Sequence, residues 1–465
     1  MQEKIYLYYT NDLHSNFAQW PKVAEFMKTS KEKRQRNDDS YWLFDIGDHV
    51  DRVHPIAEGL MGKGNIDLLN EIGYDAVTIG NNEGITFAHE DLFHLYDEAN
   101  FQVVCANLQS LDNVLPPWLK STIQVQTKQG VKIGVIGLTA PFNDYYELLG
   151  WHVADPYEVL EKQIKTLTGS VDIIVLMSHL GINEDEEIAR RFPEIDVIIG
   201  GHTHHLLRTG EQVNQAIITA AGKHCYFAGE VILTWDHQGN KLINMEAFAT
   251  DISNYPENHE TKALLKNLQH AANEKLNKTI ITIEEPIRIG WYENTPIMEQ
   301  LVEKILRETG AECAMFNAGL LLDHFPTGEI TLGDIHRICP HPINPCIVEL
   351  TGAELLEVVR ASLTDEFMNF ELKGFGFRGK VLGKMVFAGI EVQTDYHPNG
   401  KEYVDEIYYK GEPISLDKTY QVVTADSFTF GRLLPEVAKS EKKTYILPTF
   451  IRDYLADTLR EYYGE

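Results

Sequence analysis

Over residues 1 to about 250, short apolar runs that read as strands alternate with helical patterns, and motifs rich in Asp, His and Asn stand at the strand ends. The strands are predicted at 5–9, 41–44, 76–79, 102–105, 132–137, 172–177, 197–199 and 216–219. Strands alternating with helices imply a layered α/β structure, because each element must bury one face against a neighbour. In such sheets the chemistry sits on loops at the strand ends. The motifs NDLH, GDH, GNNE, SHLG and GGHTHH stand at those places, so they define the candidate site.

A chain of 465 residues with 43% hydrophobic content exceeds one ordinary core and predicts two domains. The formal net charge of −28 is spread along the sequence, which argues against nucleic-acid polymers and anionic membrane as partners. A small anionic substrate remains allowed, since bound cations invert the field inside one cleft. No apolar run approaches a membrane span, and MQEKIYLYYT lacks the pattern of a secretory signal. Cys105, Cys225, Cys313, Cys339 and Cys346 are odd in number and scattered, so no disulfide framework is expected and the cytoplasm is the expected location.

The first domain is expected over 1–250, a polar helical linker (TKALLKNLQHAANEKL) within 251–279, and a second domain over 280–465. Helix starts are read at Asp155-Pro156, at Thr295-Pro296 and at the capping box Thr351–Glu354, with a last helix near 450–462. No internal repeat or low-complexity segment is present.

Asp12 and His14 place a carboxylate and an imidazole in one turn, where both can reach one ion. Asp48 follows a Gly that lets the backbone turn closely. Asn81 follows a strand, His179 ends a nearly continuous apolar run, and His202 and His204 project side by side after two glycines. Taken singly, each has an ordinary reading as a turn, cap or core residue. As an ordered set without cysteine they suit Mn²⁺, Zn²⁺, Mg²⁺ or Fe²⁺.

That set resembles the calcineurin-like metallophosphoesterases, and the second half narrows the resemblance to the 5′-nucleotidase family. The resemblance implies a four-layer α/β/β/α domain followed by an α+β substrate-binding domain. It implies one cation on Asp12, His14, Asp48 and His204, and another on Asp48, Asn81, His179 and His202, with Asp48 bridging. It further implies attack of a metal-bridging hydroxide on a nucleotide-like phosphate, as in 5′-nucleotidases, 2′,3′-cyclic nucleotide phosphodiesterases and nucleotide-sugar hydrolases.

The sequence departs from that family in three places. The family motif GNHEFD reads Gly80-Asn81-Asn82-Glu83-Gly84-Ile85 here, so the His–Asp dyad that aids the leaving group is absent. Asn82 can donate a hydrogen bond but cannot release a proton near neutral pH; His49 or His54 is the alternative acid. The family's phosphate-binding Arg, expected after Asn317-Ala318-Gly319, is replaced by Leu320-Leu321-Leu322, with Arg378 and Arg432 as candidate substitutes. The family's PFGN loop is replaced by Pro340-His341-Pro342-Ile343-Asn344, while Phe428 and Phe430 are candidate base platforms beside Asn317 and Gly319. The sequence therefore supports two readings: a metal-dependent phosphoesterase, and a catalytically impaired nucleotide-binding protein that keeps the metal site.

Overall fold

The computed structural model describes residues 1–396, 398, 402–431 and 433–464. Two compact units, Met1–Ala272 and Asn273–Glu465, divide within the helix His259–Leu276.

The first unit contains two sheets. One runs Lys241–Asp251, Phe227–Asp236, Gln2–Thr10, Ser40–Asp45, Ala76–Val77, Gln102–Val104, Leu119–Lys120 in spatial order. The other runs Glu211–Val213, Ala216–Thr219, Val197–Gly200, Ile173–His179, Lys132–Thr139, Thr122–Gln126. Side chains alternate across a strand, and here the alternation assigns the layers. Ile5, Leu7 and Tyr9 share one buried cluster with Ile133, Val135, Ile173, Val175, Met177, Val197 and Ile199, so the sheets face each other across it. The intervening Ile136, Leu138, Ile174, Leu176 and Ile198 point the other way, onto Leu160, Ile164 and Leu167 of the helix Pro156–Leu167 and onto Ile188 and Ala189 of Ile182–Arg191. Each such buried branched side chain contributes about 1.5–3 kcal/mol.

On the far side of the first sheet, the helix Trp20–Arg36 sets Phe26 edge-on to Tyr8. Its Arg34 lies over Tyr6 and donates from Nε to the Tyr8 hydroxyl at 2.8 Å. Helix, sheet, sheet and helix give the four layers that the resemblance implied.

Strands Gln2–Thr10, Ser40–Asp45 and Ala76–Val77 are parallel, as are Lys132–Thr139, Ile173–His179 and Val197–Gly200. Some elements differ from expectation. The third predicted strand stops at Val77, because Thr78-Ile79-Gly80 turns into the helix Asn81–Thr86. The antiparallel pair Phe227–Asp236 and Lys241–Asp251 is an addition, missed because Lys241–Asp251 buries little of its surface.

The second unit is α+β. A mixed sheet runs Met385–Ala388, Cys313–Asn317, Thr419–Ala425, Pro345–Thr351, Lys443–Tyr445. The expected helices form over Pro296–Thr309, Gly352–Ser362 and Ile451–Tyr463. Thr351 and Glu354 close the capping box, satisfying N–H groups that the first helical turn leaves unpaired. Among the described residues, no helix is long and apolar enough to cross a membrane.

Candidate metal centre

Asp12 at φ 52°, His14 at 51°, Asp48 at 49°, His202 at 71° and His204 at 58° all lie in the left-handed region. That conformation costs an L-residue roughly 1–2 kcal/mol and persists only where surrounding structure imposes it. Here the imposing structure is a backbone zip between the first two loops. Asp12 N–H donates to the Gly47 carbonyl at 3.1 Å, His14 N–H to Asp48 at 2.8 Å, and Ser15 N–H to His49 at 3.0 Å. Glu83, 1% exposed, joins the third loop by accepting from the N–H groups of Asp48 (3.0 Å), Gly80 (2.9 Å) and Val50 (2.7 Å). Gly47 and Gly80 permit the approach, since a Cβ on Gly80 would meet Asp48 Oδ1 at 2.1 Å.

Two donor clusters result, Asp12–His14–His204 and Asp48–His179–His202. In the first, His14 Nε2 is 3.0 Å from His204 Nε2 and 3.8 Å from Asp12 Oδ1, and His204 Nε2 is 3.5 Å from that oxygen. In the second, His179 Nε2 is 3.4 Å from Asp48 Oδ1, and Asn81 Oδ1 is 3.3 Å from His179 Nε2 and 2.8 Å from His202 Nδ1. Asp48 spans both, because its Oδ2 is 3.6 Å from His14 Nε2. His179 Nδ1, 2.7 Å from the Ile46 carbonyl, must donate there, which aims Nε2 into the cluster as a ligand atom.

The electrostatics fit a cationic occupant. Among the described residues, Asp12 and Asp48 form ion pairs only with histidines, and both carboxylates are buried. Burial opposes their charge, yet His179 and His14 hold Asp48 well below the usual carboxylate range, and His204 and His179 lower Asp12. In return His179, despite its own burial, is pushed up to about 10 by Asp48. His202 falls to about 4 through burial and the neighbouring His179. Glu83 rises to about 7, through burial and then Asp48. Two divalent cations would supply the positive charge that these buried carboxylates otherwise draw from protonated imidazoles.

The candidate acids stand elsewhere. His49 is 3% exposed, its Nδ1 lies 3.1 Å from Asn65 Nδ2, and its ring meets Trp20 edge-on. Burial lowers it to about 3, and its ring packs within the core. His54 Nδ1 accepts from Ile56 N–H at 3.1 Å and caps the helix Pro55–Gly59. Asn82 donates from its backbone to Asp48 Oδ1 at 2.8 Å, while its Nδ2 lies 2.9 Å from His14 Nδ1. A side chain at Gly84, where the family has Phe, would meet the Tyr146 hydroxyl at 1.9 Å. Sequence reasoning passed over Asp51, buried with Oδ2 3.5 Å from His14 Nδ1, and His224, whose ring lies 6.0 Å from that of His14. Neither belongs to a motif that could have singled it out.

In the second unit, Asn317 is 1% exposed and donates to the Leu382 carbonyl at 2.8 Å, and a Cβ on Gly319 would meet the Val381 carbonyl at 2.0 Å. Both positions are packed against the 381–382 backbone. Phe428 is fully buried near Phe367, with no ring face open to solvent. Phe430 is half-buried and stacks at 5.8 Å and 8° on Phe375, an exposed ring that lies in no family motif. His341 accepts from Arg378 N–H at Nδ1 and donates from Nε2 to the Leu320 carbonyl, so the divergent loop is a buried strut. Arg378 Nη1 donates to the Phe377 carbonyl, and Arg432 lies outside the described residues.

Strand ends carrying two donor clusters, with one carboxylate between them, are a candidate metal site of the kind found in metal-dependent hydrolases. Comparison with known proteins agrees: the calcineurin-like phosphoesterase family matches residues 6–206, and the 5′-nucleotidase C-terminal domain matches residues 277–431. An uncharacterized metallophosphoesterase of Bacillus subtilis (strain 168), YunD, is 39% identical over 98% of this chain and 99% of its own length. The fold is shared with a putative 5′-nucleotidase from Staphylococcus aureus (19% identity, TM-score 0.68, covering 99% of this chain and 98% of that one). It is shared also with a Haemophilus influenzae NAD nucleotidase (14% identity, TM-score 0.68, 99% and 97%). The chain belongs to the calcineurin-like metallophosphoesterases that carry a 5′-nucleotidase C-terminal domain, a family of metal-dependent phosphoester hydrolases.

Proposed function

We propose that this chain hydrolyses nucleotide-like phosphates, of the 5′-nucleotidase, 2′,3′-cyclic phosphodiesterase or nucleotide-sugar hydrolase type, with a preference for leaving groups that need little protonation. The observation that carries the reading is Asp48, whose two oxygens face separate donor clusters 3.6 Å and 3.4 Å away. Mn²⁺, Zn²⁺, Mg²⁺ or Fe²⁺ would be held by Asp12, His14, Asp48 and His204 on one side and by Asp48, Asn81, His179 and His202 on the other. A bound pair of divalent ions lowers the pKa of water and clamps attacking and leaving oxygens in line.

The protein's own residues supply placement. Glu83 and the loop zip hold the ligands in strained conformations before any cation arrives, so little reorganisation accompanies binding. Position 82 carries an amide in place of the family's imidazole, and the imidazole beside it, His14, is itself a proposed ligand. General acid catalysis is worth about 10²–10⁴-fold. Its loss bears hardest on alkoxide leaving groups and least on phosphate or aryl oxide. The Phe375–Phe430 pair is the aromatic surface in the second unit suited to a base. Five buried thiols suit a reducing, cytoplasmic setting.

The second reading, a nucleotide-binding protein with an idle metal site, draws support from the same missing acid. Turnover separates them. With Mn²⁺, an aryl phosphate and a nucleoside diphosphate should be hydrolysed by the wild type and not by Asp48→Ala. No turnover of aryl phosphates, anhydrides, sugar nucleotides or 2′,3′-cyclic nucleotides with any divalent metal would sink the hydrolase.

A further inference from the structure

Position 82 has a use in this chain other than proton donation. His14 turns Nε2 toward His204, Asp12 and Asp48, and turns Nδ1 away, toward Asn82 Nδ2 at 2.9 Å and Asp51 Oδ2 at 3.5 Å. We infer that Asp51 and Asn82 together are the outer partners of His14, fixing its tautomer and ring plane so that Nε2 presents a lone pair to a cation. The inference rests on the two-metal reading and adds to it the residues that make one of its ligands competent.

The chemistry of the imidazole requires such partners. A neutral ring has one N–H, and a cation on Nε2 consigns that proton to Nδ1. Nδ1–H then needs an acceptor, and a backbone carbonyl does this for His179. Among the described residues, the polar groups at His14 Nδ1 are the Asp51 carboxylate and the Asn82 amide. Asp51 suits the task because it is itself fixed: it is 1% exposed, its Oδ1 accepts from Val53 N–H at 3.0 Å, and its N–H donates to Ser15 Oγ at 2.8 Å. Ser15 Oγ also accepts from Asn65 Nδ2 at 3.0 Å, which ties this support to the helix Lys63–Ile72.

Asn82 is oriented independently. Its backbone N–H is bound to Asp48 Oδ1, and it stands in the first turn of the helix Asn81–Thr86. With its amide nitrogen toward Nδ1 it suits the tautomer protonated on Nε2; rotated by half a turn, its oxygen accepts from Nδ1–H. One amide thus serves His14 with or without a cation on Nε2, which an imidazole at position 82 could do only by changing its own tautomer. Asp51 contributes more than Asn82, because its acceptor is charged and needs no rotation.

The test is metal binding, read by equilibrium dialysis with elemental analysis for Mn²⁺ on wild type, Asp51→Ala, Asp51→Asn and Asn82→Ala. Wild type should take up two equivalents. Asp51→Ala should weaken one of them by roughly 10–100-fold and leave the other within about twofold, the scale expected for removing an outer partner of a ligating histidine. Asp51→Asn, which keeps an acceptor oxygen and the same shape, should lose less, and Asn82→Ala less again than Asp51→Ala. It is the variant to rely on if Asp51→Ala fails to fold. A loss shared equally by both equivalents marks a general structural role and overturns the assignment, as does unchanged affinity in the Asp51 variants. Wild type that binds fewer than two equivalents overturns the two-metal reading itself.

Discussion

Gly80→Ala is the sharpest perturbation of the proposed bridging carboxylate, Asp48, that changes none of the proposed ligand residues. Gly80 has φ −87° and ψ 173°, an extended conformation that alanine adopts without strain, so any effect is steric. The new Cβ would sit 2.1 Å from Asp48 Oδ1 and 2.2 Å from Asp48 N. Ordinary contact begins at 3.4 Å, so the Asp48 carboxylate must retreat by about 1.3 Å, and misplacements near 1 Å in a catalytic array cost on the order of 10²-fold. Because the Cβ also meets the Asp48 backbone nitrogen, the loop itself must shift, and such overpacking destabilises by roughly 1–3 kcal/mol or more, which the melt measures. Gly333→Ala is the control, since its Cβ would meet nothing nearer than 3.5 Å. The assay is kcat/KM on an aryl phosphate across a Mn²⁺ titration, beside thermal melting. A Gly80→Ala protein with wild-type activity and Mn²⁺ affinity would refute the bridging role of Asp48.

Other outcomes follow from particular residues. Phe430→Ala and Phe375→Ala should each weaken nucleotide binding by roughly 1–3 kcal/mol with little effect on folding. Phe428→Ala should instead lower stability by about 3–5 kcal/mol, and calorimetric titration with urea melts tells the two patterns apart. His341 is buried neutral, lowered to about 3 by burial; the unfolded chain therefore binds its proton first, and stability falls as pH drops below 6.5. His341→Gln should reduce the stability lost between pH 7 and pH 5 by ~2 kcal/mol, read from urea midpoints at both pH values. Because Asp48 holds a proton on His179 up to about 10, Mn²⁺ binding near neutral pH should release protons and tighten as pH rises. Calorimetry in buffers of different ionisation enthalpy measures that release, and a value of zero would contradict it.

The sheets were legible because their strands are short, apolar and closed by polar turns, but in the continuous apolar run at 173–177 only the packing shows that Ile173 and Ile174 face opposite layers. The candidate donor set was legible for the same reason: side chains at parallel strand ends are brought to one edge by topology alone. What lay beyond sequence was direction. Asp48 and His49 are adjacent, yet one faces His14 and His179 while the other faces Trp20 and Asn65. Phe428 and Phe430 are two apart, yet the short turn Asp426–Thr429 buries the first and leaves the second partly open. Asn317 and Gly319 matched a family motif, but the packing shows what the motif does here, which is to admit the 381–382 backbone at close range. Asp51 lies three residues after Asp48 in no recognisable pattern, and only the loop zip brings it to His14.

The most direct measurement is the dependence of kcat/KM on leaving-group pKa, taken with Mn²⁺ over a series running from nitrophenyl through phenyl to alkyl phosphates. With a dinuclear centre intact and no acid at position 82, activity should fall steeply as the leaving group becomes more basic. A flat dependence extending to alkyl phosphates would show that some other group donates the proton, and would contradict the division drawn here between preserved metal chemistry and lost acid catalysis.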